Sequence, residues 1–128
     1  MVQFTDIHFG ENDIADIRNQ EIMNKILDLE KPDIAVVTGD IVSGFEWKGI
    51  TTDFYKKYHE KFTIPFYNHS VYWAITLGNH DAQGDLNRDQ ISALDRSYNL
   101  SLTQENAPNT SHATNYVLPV FDPDGLEI

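Results

Sequence analysis

The chain has 128 residues and a formal net charge of -11, with 41% hydrophobic residues, 12% aromatic residues and no cysteine. This length fits one domain, and the apolar content is enough for a folded core. The acidic balance argues against a nucleic-acid-binding surface, which needs basic patches, and the absence of cysteine excludes disulfides and thiolate metal sites.

Short apolar runs alternate with helical patterns along the chain. In chain order we predict strand Val2–Thr5, helix 13–30, strand Ile34–Thr38, helix 52–62, strand Tyr72–Leu77, helix 87–97 and strand Asn115–Phe121. The second strand begins with a continuous apolar run, as in a parallel strand that is buried on both faces. The third strand is rich in β-branched and aromatic residues. Strands that alternate with helices indicate a parallel, layered α/β fold.

Capping and breaking residues set the predicted helix ends. Asn12 or Asp13 can cap the first helix, and Pro32 ends it. Pro65 is expected to end the second helix, and Asn87 lies near the start of the third. The predicted apolar faces consist of Ile22, Ile26 and Leu29 in the first helix and of Phe54, Tyr58 and Phe62 in the second.

Polar residues follow three of the strands directly. Asp6 and His8 come after the first strand, Asp40 after the second, and Asn79 with His80 after the third. Sites in parallel α/β sheets form outside the carboxyl ends of the strands, so we expect these side chains to converge in one pocket. Asp6 and His8 are two residues apart and would point to the same side of an extended chain.

The residue types suit a pair of metal ions. Asp6 and His8 can share one ion, Asp40 has two oxygens with which to bridge two ions, and Asn79 offers a carbonyl oxygen. Mixed oxygen and nitrogen ligands suit Mn²⁺, Fe or Zn²⁺ better than Ca²⁺. Two ions about 3.5–4 Å apart would activate a water and clamp phosphate oxygens. The glycines before Asp40 and Asn79 allow sharp turns and close approach of the backbone.

Three motifs close the strands, in the order Asp6-Ile7-His8, Gly39-Asp40 and Gly78-Asn79-His80-Asp81. In order and spacing they resemble the first three blocks of the calcineurin-like metallophosphoesterases. Within that superfamily, two segments resemble a purple-acid-phosphatase-like branch: Phe4-Thr5-Asp6-Ile7-His8-Phe9-Gly10 and Asn115-Tyr116-Val117-Leu118. The resemblance spans nearly the whole chain. It implies a layered sheet with flanking helices that is the first half of a four-layer α-β-β-α domain, so we expect residues 1–128 to be the N-terminal part of such a domain, truncated on its C-terminal side.

The resemblance also implies a role for each residue of these motifs. The implied metal ligands are Asp6 and His8 for the first ion, Asp40 as the bridge and Asn79 for the second ion. Asn79 and His80 would contact the substrate phosphate, and His80 would help the leaving group depart. Asp81 would orient His80 through a hydrogen bond, as carboxylates do for functional imidazoles.

Two departures from the family pattern are visible. A purple acid phosphatase has a tyrosine three residues after the bridging aspartate, where this chain has Ser43, so a coloured Fe(III)–tyrosinate site is not expected. The family also takes histidine ligands from a later isolated histidine and from a Gly-His-x-His block, and neither is identifiable before Ile128.

Two functions follow from these observations. The first is a metal-dependent hydrolase of phosphomonoesters or phosphodiesters that acts on a phosphorylated small molecule or a phosphoprotein. The alternative is a truncated or degenerate, non-catalytic metal-binding or interaction module. The missing later histidines favour the alternative for the chain alone, whereas the Asp, His and Asn set favours the hydrolase for the parent protein.

The remaining residues of interest are expected to be structural. We predict three surface histidines, two packing tryptophans and a solvated acidic face: His59, His69 and His112; Trp47 and Trp73; Asp85, Asp89 and Asp95. No apolar run approaches the roughly 18 residues of a membrane helix, and the first residues lack the pattern of a signal peptide. Secreted or vacuolar and cytoplasmic locations stay open, and the sequons at Asn68, Asn99 and Asn109 would matter only in a secreted eukaryotic protein.

Overall fold

The architecture comes from a computed structural model that describes residues 1–121 and 124–125. Its three parallel strands lie in the order β1-β2-β3, with bounds β1 Val2–Phe4, β2 Ile34–Thr38 and β3 Tyr72–Thr76. Its α-helices are α1 Asp13–Glu30, α2 Phe54–His69 and α3 Arg88–Arg96. Two short 3-10 turns, Gly44–Glu46 and Asp81–Gln83, follow β2 and β3. The predicted parallel α/β fold is confirmed, and its three strands end at the same edge of the sheet.

The core lies between the sheet and helices α1 and α2. Phe4 pairs with Val37, and Val37 pairs with Ile75, so one buried row crosses all three strands. Trp73 of β3 is fully buried and stacks on Phe66 of α2 at a ring-centroid distance of 5.3 Å. Both crossover connections run in the same direction across the sheet, which places α1 and α2 on the same face.

Local capping explains most helix ends. Asn12 caps α1 by accepting from a backbone N–H of the first turn at 2.9 Å, as predicted. Lys31 ends the helix in a left-handed conformation, with φ of 43°, directly before Pro32. Asn87 caps α3 in a capping box with Gln90, whose side chain accepts from the Asn87 N–H.

Pro65 does not end α2, so the predicted end of this helix is wrong. Proline has no N–H to donate to the carbonyl four residues earlier, which belongs to Lys61. The side-chain amide of Gln20, on α1, donates to that carbonyl at 2.7 Å. A partner from another helix therefore satisfies the oxygen, and α2 continues through Pro65 to His69.

The buried faces of the first two helices differ from the predicted ones. In α1, Met23 and Leu27 are buried, whereas Ile22 and Leu29 are exposed. The buried residues of α2 are Tyr55, His59, Phe62, Thr63, Pro65 and Phe66. Phe62 is buried as predicted, and Ile26, Phe54 and Tyr58 are half-buried against the core. The centre of each buried face therefore lies about one residue later than the apolar pattern indicated. The prediction that His59 is a surface residue is therefore wrong.

The predicted last strand, Asn115–Phe121, does not form, since residues 115–120 have no regular secondary structure. The outer edge of β3 is already occupied, because Trp73 exchanges backbone hydrogen bonds of 3.1 and 2.6 Å with residues 100 and 102. The segment is instead held by a side chain. The Tyr116 hydroxyl donates to a carbonyl oxygen of β3 at 2.6 Å.

Other sequence predictions had mixed outcomes. Trp73 is buried and Trp47 is half-buried, and His112 and Asp89 are exposed, all as predicted. His69 is half-buried at the end of α2, where it bonds Asp28, and does not lie in an exposed loop.

Asp85 is not part of a solvated face either. It is half-buried, and its carboxylate accepts from the N–H groups of Phe54 and Tyr55 at 2.8 and 2.9 Å. It therefore satisfies the first turn of α2 from outside that helix. Among the described residues, no helix combines the length and the apolar character that a membrane span requires.

Candidate metal centre

The loops that follow the three strands contact one another at the carboxyl edge of the sheet. The N–H of Asp6 donates to the Gly39 carbonyl at 3.1 Å, and the N–H of His8 donates to the Asp40 carbonyl at 3.0 Å. From the third loop, the N–H of His80 donates to Oδ1 of Asp40 at 2.8 Å. Asp40 thus contacts the loops on both of its sides.

Asp6, His8 and Asp40 form a group that could hold a metal ion. One ligand atom from each lies within 4.8 Å of the others, and no second group of this kind occurs in the part of the chain that the structure describes. Nε2 of His8 lies 4.0 Å from Oδ2 of Asp40. Ligands that each bind an ion at about 2.0–2.2 Å can be up to roughly 4.4 Å apart. The pair is therefore spaced for an ion between the two atoms rather than for a direct hydrogen bond.

The third loop brings further polar groups to this edge. The imidazole of His80 lies 5.7 Å from that of His8, measured between ring centroids. Asn79 precedes it and is exposed. Phe45 is 41% exposed and packs edge-on against His80 at 5.0 Å. The structure therefore brings together Asp6, His8, Asp40 and His80, with Asn79 on the same loop and an aromatic ring at the rim.

An unusual backbone places the three candidate ligands. Asp6, His8 and Asp40 have φ values of 52°, 57° and 50°. This left-handed conformation costs about 1–2 kcal/mol for most residues other than glycine, although aspartate and asparagine adopt it more readily. β1 ends at Phe4, so the chain is not extended at Asp6 and His8, and the reason given above for their common direction is wrong. Left-handed turns bring their ligand atoms together.

Two glycines allow the second and third loops to touch. A Cβ on Gly78 would overlap the Asp40 carboxylate and its backbone nitrogen, and a Cβ on Gly39 would overlap the backbone of Gly78. Gly39 also has φ of 100°, which side chains rarely tolerate. The close approach that was predicted from these glycines is confirmed.

The carboxylate of Asp81 ties the same two loops together. It is fully buried and accepts five hydrogen bonds of 2.8–3.1 Å, from the N–H groups of Asp40, Ile41, Val42 and Gly78 and from the Tyr55 hydroxyl. Burial, and then the Asp81 charge, raise the pKa of Tyr55 well above its usual range, so the hydroxyl keeps its proton and donates.

The predicted hydrogen bond from Asp81 to His80 is wrong. Nδ1 of His80 bonds Oε1 of Gln83 at 2.9 Å, and Gln83 lies in the 3-10 turn that Asp81 begins. Every hydrogen bond found for the Asp81 carboxylate goes to a backbone N–H or to Tyr55. Asp81 therefore holds the loop that carries His80, while Gln83 orients the ring.

Sequence reasoning also missed a buried histidine–aspartate pair. His59 and Asp95 are both fully buried, and Nε2 of His59 lies 2.9 Å from Oδ1 of Asp95. Asp95 also accepts from Nε1 of Trp73 and from the Ser101 hydroxyl. The prediction of a solvated Asp95 is therefore wrong. The apolar pattern of α2 gave no signal for the pair, because it predicted Phe54, Tyr58 and Phe62 as the buried face and left His59 outside it.

Comparisons with known proteins point to one family. The sequence model of the calcineurin-like phosphoesterases matches residues 1–125. Phosphatase DCR2 of Saccharomyces cerevisiae is 27% identical over 100% of this chain and 24% of its own length. An uncharacterized protein of Schizosaccharomyces pombe is 27% identical over 73% of this chain and 20% of its own. Probable inactive purple acid phosphatase 29 of Arabidopsis thaliana is 31% identical over 77% of this chain and 24% of its own. The chain thus spans about a fifth to a quarter of the length of these relatives.

Proposed function

The chain belongs to the calcineurin-like phosphoesterase family, and we propose that it carries ligands of a two-metal site that hydrolyses phosphate esters. The observation that carries the proposal is the group of Asp6, His8 and Asp40, whose ligand atoms lie within 4.8 Å of one another. The phosphatase name of the Saccharomyces relative supports the same reaction class.

The donor set fits a transition-metal ion, since it combines carboxylate oxygens with an imidazole nitrogen. Asp6 and His8 would hold the first ion. Asp40 would bridge, because Oδ2 lies toward His8 and Oδ1 keeps a free lone pair beside the His80 N–H. Asn79 would hold the second ion. When bound, Mn, Fe or Zn ions would supply an activated water and neutralise phosphate charge.

His80 would contact the substrate phosphate together with Asn79 and protonate the leaving oxygen. Gln83 occupies Nδ1 of His80, which leaves Nε2 as the nitrogen that faces a bound ester. The loop that carries His80 is fixed to Asp40 by one hydrogen bond and to the same backbone through Asp81. This arrangement keeps the proposed acid at a constant position relative to the bridging ligand. The substrate would be a phosphorylated small molecule or a phosphoprotein.

A non-catalytic metal-binding or interaction module is the second candidate. The observation that favours it is the similarity to the Arabidopsis relative, which is named a probable inactive purple acid phosphatase. In that case the ligand group would still bind metal, but turnover would be absent.

The test measures metal binding and turnover separately. Titration of the chain with Mn²⁺ or Zn²⁺ should show binding that Asp40→Asn removes and Asp89→Asn, at an exposed site on α3, leaves intact. In the intact parent protein, metal-dependent hydrolysis of an aryl phosphate supports the enzyme, and binding without hydrolysis supports the module. If the unmodified chain binds neither ion, both proposals fail.

Replacement of the proposed acid gives a second test. In the intact parent protein, His80→Ala should lower turnover by about 10²–10⁴-fold, which is more than it lowers metal occupancy. The defect should be smaller on an activated aryl ester than on an alkyl phosphate, because a good leaving group needs little protonation. An equal defect on both substrates would contradict the acid role.

A further inference from the structure

We propose that Glu11 and Ser43 are positioning residues that fix which ring nitrogen His8 presents to the metal centre. This inference rests on the proposed function for its purpose, although the tautomer itself can be measured without metal or substrate. Neither residue belongs to the ligand motifs, and neither needs to contact an ion.

The three side chains form a continuous hydrogen-bonded chain. Nδ1 of His8 lies 2.8 Å from Oγ of Ser43, and that hydroxyl donates to Oε1 of Glu11 at 3.1 Å. Nδ1 of His8 and Oε1 of Glu11 are 3.6 Å apart, which is too long for a direct hydrogen bond. Ser43 is therefore the link between the imidazole and the carboxylate.

The single hydroxyl proton sets the direction of the chain. A serine hydroxyl donates one hydrogen bond and accepts up to two, whereas an ionised carboxylate only accepts. Because the Ser43 hydroxyl donates its only proton to Glu11, it can contact His8 only as an acceptor. Nδ1 of His8 then carries the ring proton, and Nε2 keeps its lone pair.

That lone pair faces the candidate site. Nε2 of His8 is the nitrogen that lies 4.0 Å from Oδ2 of Asp40. A neutral imidazole binds metal through its unprotonated nitrogen, and the hydrogen bond at the other nitrogen selects the tautomer. Without Ser43 or Glu11, the Nε2–H tautomer would become accessible, and a proton would occupy the ligand position.

The backbone keeps both ends of this contact in place. Ser43 is fully buried, and its N–H donates to the Phe9 carbonyl at 2.9 Å, next to His8. The N–H of His8 donates to the Asp40 carbonyl. Ser43 and His8 are thus held side by side on paired backbones, and only the side-chain protons remain to be set.

The experiment reads the tautomer directly. Nitrogen-15 NMR of the His8 ring in metal-free protein should show a protonated Nδ1 and an unprotonated Nε2. Ser43→Ala and Glu11→Ala should both shift His8 toward the Nε2–H form. Glu11→Gln keeps an acceptor for the serine proton and should preserve the original tautomer. Glu21→Ala, which removes an exposed carboxylate from α1, is the matched control and should change nothing.

Metal titration of the same proteins is the second measurement. Loss of an outer hydrogen-bond partner costs about 10–100-fold in metal affinity, so Ser43→Ala should weaken Zn²⁺ binding by that factor and Glu11→Gln should restore most of what Glu11→Ala loses. The inference is overturned if His8 is the Nε2–H tautomer in the unmodified protein, or if its tautomer is unchanged in both Ser43→Ala and Glu11→Ala. Because Glu11 is on the surface, its variants remain informative even if Ser43→Ala folds poorly. If the tautomer responds as expected but the unmodified protein binds no Zn²⁺, the proposed function fails and the tautomer assignment stands.

Discussion

The molecule contains two histidine–aspartate pairs that differ in almost every physical respect. His59 and Asp95 are completely buried and contact each other directly at 2.9 Å. His8 and Asp40 have side chains that are 25% and 10% exposed, and Nε2 of His8 lies 4.0 Å from Oδ2 of Asp40. The side chains of the first pair contact each other directly, whereas those of the second pair leave room for a metal ion between them.

The backbone separates the two pairs as well. His59 and Asp95 lie inside α2 and α3, where helix geometry positions them at no conformational cost. His8 and Asp40 both lie in left-handed turns, which the sequence would avoid if packing were the only requirement. The comparison teaches that strained backbone and an open gap accompany the candidate site, while ordinary backbone and direct contact accompany the structural pair.

The largest expected effect is on stability, from the buried pair. Asp95→Ala removes the partner of His59, Trp73 and Ser101 and should lower the free energy of unfolding by about 3–5 kcal/mol. Urea unfolding measures the change. Asp89→Ala, at an exposed carboxylate on the same helix, is the control and should cost less than about 1 kcal/mol. Equal losses from the two variants would remove the distinction between the pairs.

Acid should reproduce part of this effect in the unmodified protein. Burial raises the pKa of the Asp95 carboxyl, but the hydrogen bond and charge of His59, helped by Ser101, outweigh burial and hold that pKa below its usual value. The stabilisation is therefore complete above the ordinary carboxyl pKa of about 3.9 and is lost as the pH falls through the lower folded value. Urea unfolding at pH 7 and at lower pH should show a decline in stability that is smaller in Asp95→Ala.

An intermediate effect is expected for Asp81, which is buried like Asp95 but holds together the loops of the candidate metal centre. Asp81→Asn turns one acceptor oxygen into a donor that faces backbone N–H groups, and should cost about 1.5–3 kcal/mol. Because the loops of Asp40 and His80 would loosen, metal affinity should fall too. Calorimetry with Zn²⁺ and urea unfolding on one preparation test both parts. If Asp81→Asn lowered stability but not metal affinity, Asp81 would be a structural residue like Asp95.

The smallest effect on stability is expected for Asp40. Asp6 and Asp40 are like charges that lie close together in the metal-free protein, so Asp40→Asn should leave the melting temperature unchanged or raise it slightly. Asparagine also tolerates the left-handed backbone and can still accept from the His80 N–H. The added stability that Zn²⁺ gives the unmodified protein should disappear. A large loss of stability without metal would mean that Asp40 is a structural residue like Asp95.

The sequence was sufficient to predict the features that depend on a single strand or a single loop. The three parallel strands and the placement of Asp6, Asp40 and His80 after them follow from local patterns and from the rule on carboxyl ends. Asn12 and Asn87 likewise cap their own helices. These predictions needed no knowledge of distant partners.

Several failures involve partners from elsewhere in the chain. Asp81 is adjacent to His80, yet its carboxylate serves the Asp40 loop, which lies about forty residues earlier. His59 was predicted to be a surface residue, but its aspartate partner comes from α3, 36 positions later. The contact between Ser43 and Glu11 crosses 32 positions, so only coordinates could reveal it. A single sequence carries no signal for such pairings.

The hydrogen bond from Gln20 to the Lys61 carbonyl has a consequence for how the protein assembles. A synthetic peptide that spans α2 would have a gap in its backbone bonding at Pro65, and its last turn should fray in water. The missing donor is the Gln20 side chain, which is available only when α1 packs against α2. The last turn of α2 and the docking of α1 should therefore form in a single cooperative step. Gln20→Leu should therefore speed hydrogen exchange in the last turn of α2 while it leaves the first turn protected.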